Sequence, residues 1–101
     1  MADQSLLPEK DPEEVLVVDF QFDHELDLLE TIESAIVTIY TYVGSDTTPS
    51  AMLVNALVMD TTSVHQSVGG GVNGTTYKLK CLATTSGGKT LIRKCLLPIV
   101  S

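Results

Sequence analysis

Aromatic residues are scarce in this chain: no Trp, two Phe and three Tyr in 101 residues. A core must therefore be built mainly from Val, Leu and Ile. No uninterrupted apolar run approaches about 20 residues, which excludes a transmembrane helix. Two cysteines do not make a disulfide framework. Residues 1–14 lack the basic and apolar regions of a secretion signal, so cytosolic synthesis with reduced thiols is expected. Acids are absent from residues 61–101, which hold five bases: Lys78, Lys80, Lys89, Arg93 and Lys94. Residues 1–60 hold all thirteen acids against a single base, Lys10. The halves carry −12 and +5, within a total of −7. So few bases argue against nucleic-acid binding. The split points to complementary faces, within one molecule or between neighbours.

What is present reads as a β protein. The hydrophobic fraction is 44% and the mean hydropathy is +0.22, which is globular and large enough for one domain. Pro8 and Pro12 exclude regular structure from a polar arm, residues 1–14. Leu16, Val18, Phe20 and Phe22 alternate with Val17, Asp19 and Gln21, which predicts a strand over 15–23 with one buried face. His24 to Ser34 has helical spacing at Leu28, Leu29, Ile32 and Ala35. The competing reading, a loop to about Leu29 and then a strand over 31–43, is preferred. That segment is rich in β-branched and aromatic residues and long enough to carry a bulge.

Further strands are predicted over 51–60, 63–68, 75–85 and 89–100. The last two flank Ser86-Gly87-Gly88 and form a hairpin. About six or seven short strands in residues 15–101, preceded by the extended arm, predict an all-β, small immunoglobulin-like β-sandwich. Tyr77 opens the penultimate strand, the place of a tyrosine corner in that fold, but Cys81 follows it by four residues and not the usual two.

No set of side chains converges on catalysis, and no enzyme, metal or other cofactor is expected. Asp23-His24-Glu25 with Asp27 has metal-ligand chemistry but falls in a strongly acidic segment, and reads as a solvated loop. His65 reads as a partly buried histidine. Asp60, Ser63 and His65 lie too close along an extended segment to make a nucleophile–base–orienter set easily. Gly69-Gly70-Gly71 resembles part of a phosphate-cradling loop, but no Gly-Lys-Ser/Thr or helix follows. Cys81 and Cys95 fall in neighbouring strands, where the geometry allows a disulfide, and buried free thiols are the preferred reading.

Several segments resemble, in the same order, a family of small tailed-phage virion proteins. Lys10-Asp11-Pro12-Glu13-Glu14-Val15-Leu16 is similar to its Lys-Asp-Pro-Asp-Glu-Val-Leu opening. Glu30-Thr31-Ile32-Glu33-Ser34 is similar to its Asp-Thr-Ile-x-Ser segment. Ser67-Val68-Gly69-Gly70, Gly74-Thr75-Thr76-Tyr77 and Thr84-Thr85-Ser86-Gly87-Gly88-Lys89 resemble its later signatures. The chain departs from the pattern where Trp is expected near Ile36 and His65, and where Lys89 replaces Arg. These are the phage fibre–tail adaptors.

The resemblance implies an immunoglobulin-like β-sandwich and a non-catalytic role in the virion, at tail or neck. Its expected partners are other virion proteins, the tail or neck and the tail fibre. Neither nucleic acid nor membrane is expected. Joined to the charge split, it suggests a ring of identical copies. The arm of one subunit, with Lys10, Asp11, Glu13 and Glu14, would meet the Lys78, Lys80, Arg93 and Lys94 face of the next. The alternative is a monomeric carbohydrate- or ligand-binding β-sandwich module, for which only Tyr40, Tyr42 and Tyr77 offer aromatic platforms.

Overall fold

The computed structural model describes residues 4–101; the first three residues of the expected arm lie outside them. Seven strands follow in order: β1 Gln4–Leu6, β2 Val15–Gln21, β3 Ile32–Val43, β4 Val58–Met59, β5 Ser63–Gly69, β6 Thr76–Thr85 and β7 Thr90–Pro98. They form a four-stranded sheet, β1-β7-β6-β3, and a three-stranded sheet, β2-β5-β4. β1 runs parallel to β7, and the other pairings are antiparallel.

The two inner faces share one core. Val18 and Phe20 of β2 and Val64 and Val68 of β5 face Val37, Ile39, Leu79, Cys81, Cys95 and Leu97 of the larger sheet. The alternation expected in β2 and β6 is realised. Val18, Phe20, Phe22, Leu79 and Cys81 are buried, and Leu16 packs against them partly buried. β3 pairs with β6 along nearly its whole length, and the register shifts at Ile32/Ser34 and Thr41/Val43 are the irregularity a long strand invites.

Three expectations need correction. The strand over 51–60 does not form. Pro49–Met52 is a 3₁₀ turn, Leu53 makes an isolated bridge to Val68, and only Val58–Met59 forms a strand. Pro49 favours the start of such a turn, and Asn55 sits at φ 66, outside extended conformation. The chain there contributes Met52, 2% exposed, as a core plug. Next, the arm is not wholly irregular. Gln4–Leu6 lies before Pro8 and joins β7, and Leu7 N–H continues the pairing onto Leu96 O at 2.9 Å. Finally, Asp60, Ser63 and His65 do come together, as described below.

Tyr77 is fully buried and ties three segments. Its hydroxyl donates to Asp46 Oδ2 at 2.6 Å and accepts from the Val72 N–H, five residues upstream, at 3.0 Å. That is the bonding a tyrosine corner makes. The hydrogen bond from Tyr77, with that from the Thr48 N–H, holds the Asp46 carboxyl below its ordinary pKa. In the β6–β7 hairpin, Gly88 takes φ +84, which closes the turn. The register sets Cys95 opposite Leu79 and Cys81 opposite Arg93, so the thiols are offset and free. Burial pushes Cys81 up to about 12 and Cys95 up to about 11, which keeps both as unreactive thiols.

Candidate functional site

The outward face of the larger sheet is built by the pleat. In β6 every second side chain faces the core, so Lys78, Lys80 and Leu82 must face away. Pairing with β3 and β7 then sets rows across the sheet. Ile36, Leu82 and Ile92 form one, Thr38, Lys80 and Lys94 the next, and Tyr40, Lys78 and Leu96 the third. The first row is apolar and open, with Ile36 61% and Ile92 40% exposed.

In the second row two lysines stand directly opposite each other, an arrangement that costs stability in a free sheet. Among the described residues, Lys78, Lys80 and Lys94 make no ion pair. The Lys78 ammonium lies 6.0 and 5.6 Å from the Tyr40 and Tyr42 ring centres. No acid stands in these rows. The face therefore offers three cations that no acid among the described residues compensates, beside an apolar strip.

The other residues singled out from the sequence are placed differently. Lys10 is fully buried, and its ammonium donates to Gly70 O at 2.7 Å and Asp11 O at 2.8 Å. Burial lowers its pKa. The glycine run thus holds an ammonium with its Gly70 carbonyl. Gly71 (φ +105) comes close to Ile99 and Met52, where a Cβ would crowd both.

Asp11 and Glu14 close a turn reciprocally. Asp11 N–H donates to Glu14 Oε1 at 2.8 Å and Glu14 N–H to Asp11 O at 3.0 Å, while Glu13 N–H donates to Asp11 Oδ1 at 2.9 Å. Glu13 and Glu14 are exposed. Arg93 is engaged inside the chain, paired with Glu25 and stacked 5.0 Å over the Phe22 ring. Tyr77 is buried, which removes one of three aromatic platforms for a sugar.

The acidic segment 23–30 folds over the β6–β7 hairpin. Glu30 is its anchor, accepting the Asp27 N–H at 2.8 Å, the Thr85 hydroxyl, and Lys89 Nζ at 2.9 Å. These bonds, that from the Asp27 backbone foremost, hold its carboxyl down to about 2. Lys89 also donates to Glu25 O at 2.8 Å. His24 is almost fully exposed, and its segment gathers no metal-ligand cluster among the described residues. Part of the charge split is thus satisfied within the chain.

His65 on β5 sits between Asp19, its register partner on β2, and Asp60, whose Oδ2 lies 3.0 Å from Nε2. Ser63 Oγ is 3.1 Å from the same Nε2. With a carboxylate at each ring nitrogen the imidazolium is favoured, so the ring is a poor base for Ser63. The hydrogen bond to Asp19, then that to Asp60, raises the His65 pKa. A base with a raised folded-state pKa stabilises fully below its unfolded value, about 6.5, and loses that contribution as pH rises through the folded value. The parent is therefore expected to exceed His65→Gln in Tm at pH 5.5, with the gap closing at pH 8.5. A gap constant across that range would contradict the ion triad.

An apolar cleft of about 300 Å³ lies between the arm and β2, lined by Leu7, Leu16, Val18 and Leu97, with Asp19 at its edge. Among the described residues no helix is long and apolar enough to cross a membrane. Set against known proteins, residues 10–98 match the sequence model of a family described as "Podophage GP4 fiber-tail adaptor protein gp77". No curated protein matches the chain.

Proposed function

The chain belongs to the podophage fibre–tail adaptor family, and we propose that it acts in the virion tail as a non-catalytic link between tail and fibre proteins, present as a ring of identical copies. The observation that carries this reading is the outer face of β3, β6 and β7. Lys80 and Lys94 oppose each other there, Lys78 stands one row away, and no acid in those rows compensates them. A sheet that keeps two cations face to face gains stability when an acidic partner covers them. Glu13 and Glu14 on the arm of a neighbour, or acids on a tail or fibre protein, supply that charge. Lys10 and Arg93 support the fold beneath, through Gly70 and Glu25, and Asp11 shapes the acidic turn.

The test is assembly, or docking on purified tail components, by the parent and by Lys78→Glu/Lys80→Glu. Screening shortens from about 10 Å at 0.1 M salt to about 3 Å at 1 M. The parent is expected to bind at the lower salt and weaken at the higher, and the variant to fail at both while remaining folded. Equal binding by both proteins at both salts would overturn the reading.

A further inference from the structure

The acidic segment ends in two leucines that the fold leaves uncovered. Leu28 is 93% exposed and Leu29 91%. They are the central residues of a turn closed by Glu30 N–H onto Asp27 O at 3.0 Å. Leu29 sits at φ 68, a conformation that suits glycine and strains a branched side chain. The turn is nonetheless firmly built. Glu30 bonds the Asp27 N–H, Thr85 and Lys89, and the Thr31 N–H donates to Ser86 Oγ at 3.0 Å. Two apolar side chains held outward on a rigid, strained turn gain nothing for the isolated fold. Strain of this kind collects where a surface engages something else.

We infer that Leu28 and Leu29 form a hook that seats on the outer sheet face of a second copy of this chain, along the row Ile36, Leu82 and Ile92. This rests on the ring reading and names the contact within it. Charge selects the occupant. Glu25 and Glu30 are paired within the chain to Arg93 and Lys89, and the exposed carboxylates beside the hook are those of Asp23 and Asp27, which disfavour an anionic membrane or nucleic acid and favour a cationic face. The apolar cleft beside β2 carries Asp19 at its edge, whereas the outer rows carry Lys80 and Lys94 and no acid.

Spacing agrees. Neighbouring rows on one strand face are about 6.6 Å apart, and Asp27 precedes Leu28 by one residue, about 3.8 Å along the chain. With the leucines on the apolar row, the Asp27 carboxylate, 85% exposed though 3.6 Å from Lys89 Nζ of its own chain, reaches the lysine row. Hook and face are different patches, so each copy can pass the contact on head-to-tail, and a rotation between copies that closes gives the ring.

Two measurements test it. Sedimentation velocity compares the parent with Leu28→Ser/Leu29→Gly. Glycine suits the positive φ, so the variant is expected to match or exceed the parent in Tm while self-associating at least about thirtyfold more weakly, the scale of a lost hot spot. In the second, Leu29→Cys is mixed with Ile36→Cys or with Val17→Cys, which lies beside the cleft, under mild oxidation. The buried native thiols stay silent. A disulfide-linked dimer is expected with Ile36→Cys alone. Self-association of the double variant at parental strength, or cross-linking to Val17→Cys in preference, would overturn the hook while leaving the ring reading in place. A parent that stays monomeric at every concentration, even with tail components, would overturn both.

Discussion

Phe20→Ala is expected to lower the unfolding free energy by about 3–5 kcal/mol, the usual cost of removing a buried aromatic ring. Phe20 is 4% exposed, at the register position opposite Val64 in the smaller sheet, and belongs to the core shared with Leu79, Cys81 and Leu97. Domains of this size are stable by about 5–15 kcal/mol, so the loss is a large share of the whole. Neighbouring Gln21 is exposed, and Gln21→Ala is expected to stay within about 0.5 kcal/mol. The pair reads the register directly, because a one-residue slip exchanges the two faces of β2. Urea unfolding checks it through the midpoint at unchanged slope. A Phe20→Ala loss under about 1 kcal/mol would contradict the register.

Lys10→Ala is expected to cost about 2–4 kcal/mol, an effect invisible in a surface lysine. The substitution empties a buried stem and strips the Gly70 and Asp11 carbonyls of their donor. Cavity and unsatisfied acceptors act together. Lys10→Met refills the volume but not the hydrogen bonds, so it is expected to fall between parent and alanine. The backbone there is equally committed: Lys10 N–H donates to Pro98 O and Val100 N–H to Lys10 O, each at 2.9 Å. Deleting residues 1–14 would therefore unfasten the larger sheet, and a loss of assembly on deletion would not isolate the acidic arm. A Lys10→Ala cost under about 0.5 kcal/mol, measured by denaturant unfolding, would mean the buried ammonium supports nothing.

The parts of the fold legible in the sequence are those whose causes are local. Val18 and Phe20 alternate with polar neighbours, and β6 repeats that pattern around Lys78 and Lys80, so strands and faces follow from spacing alone. Ser86-Gly87-Gly88 marks its hairpin for the same reason. The apolar run at 51–60 misleads because hydrophobicity does not report φ: Pro49 and Asn55 break the chain there and leave Met52 as a plug. Lys10 reads from sequence as an arm residue facing a neighbour, since nothing near it in the chain reveals a carbonyl 60 positions away. The His65 site is hidden from the sequence in the same way. Asp19 is 46 residues distant and arrives only through β2–β5 pairing. Arg93 groups in sequence with the lysine face because its partner, Glu25, reaches it only when the acidic segment folds back. The lysine face was legible as a cluster. Its opposed pair and apolar row required the register of three strands.

The most direct test of the central claim is a cryo-electron-microscopy reconstruction of the virion tail that carries this protein. The claim is that the chain joins tail to fibre in repeated copies through the outer face of β3, β6 and β7. The map is expected to show several copies related by rotation about the tail axis. In each, Lys78, Lys80 and Lys94 should lie within about 4 Å of carboxylates on an adjoining subunit, the reach of an ion pair. Absence of the protein from the tail, or copies whose lysine face looks onto solvent throughout, would contradict it.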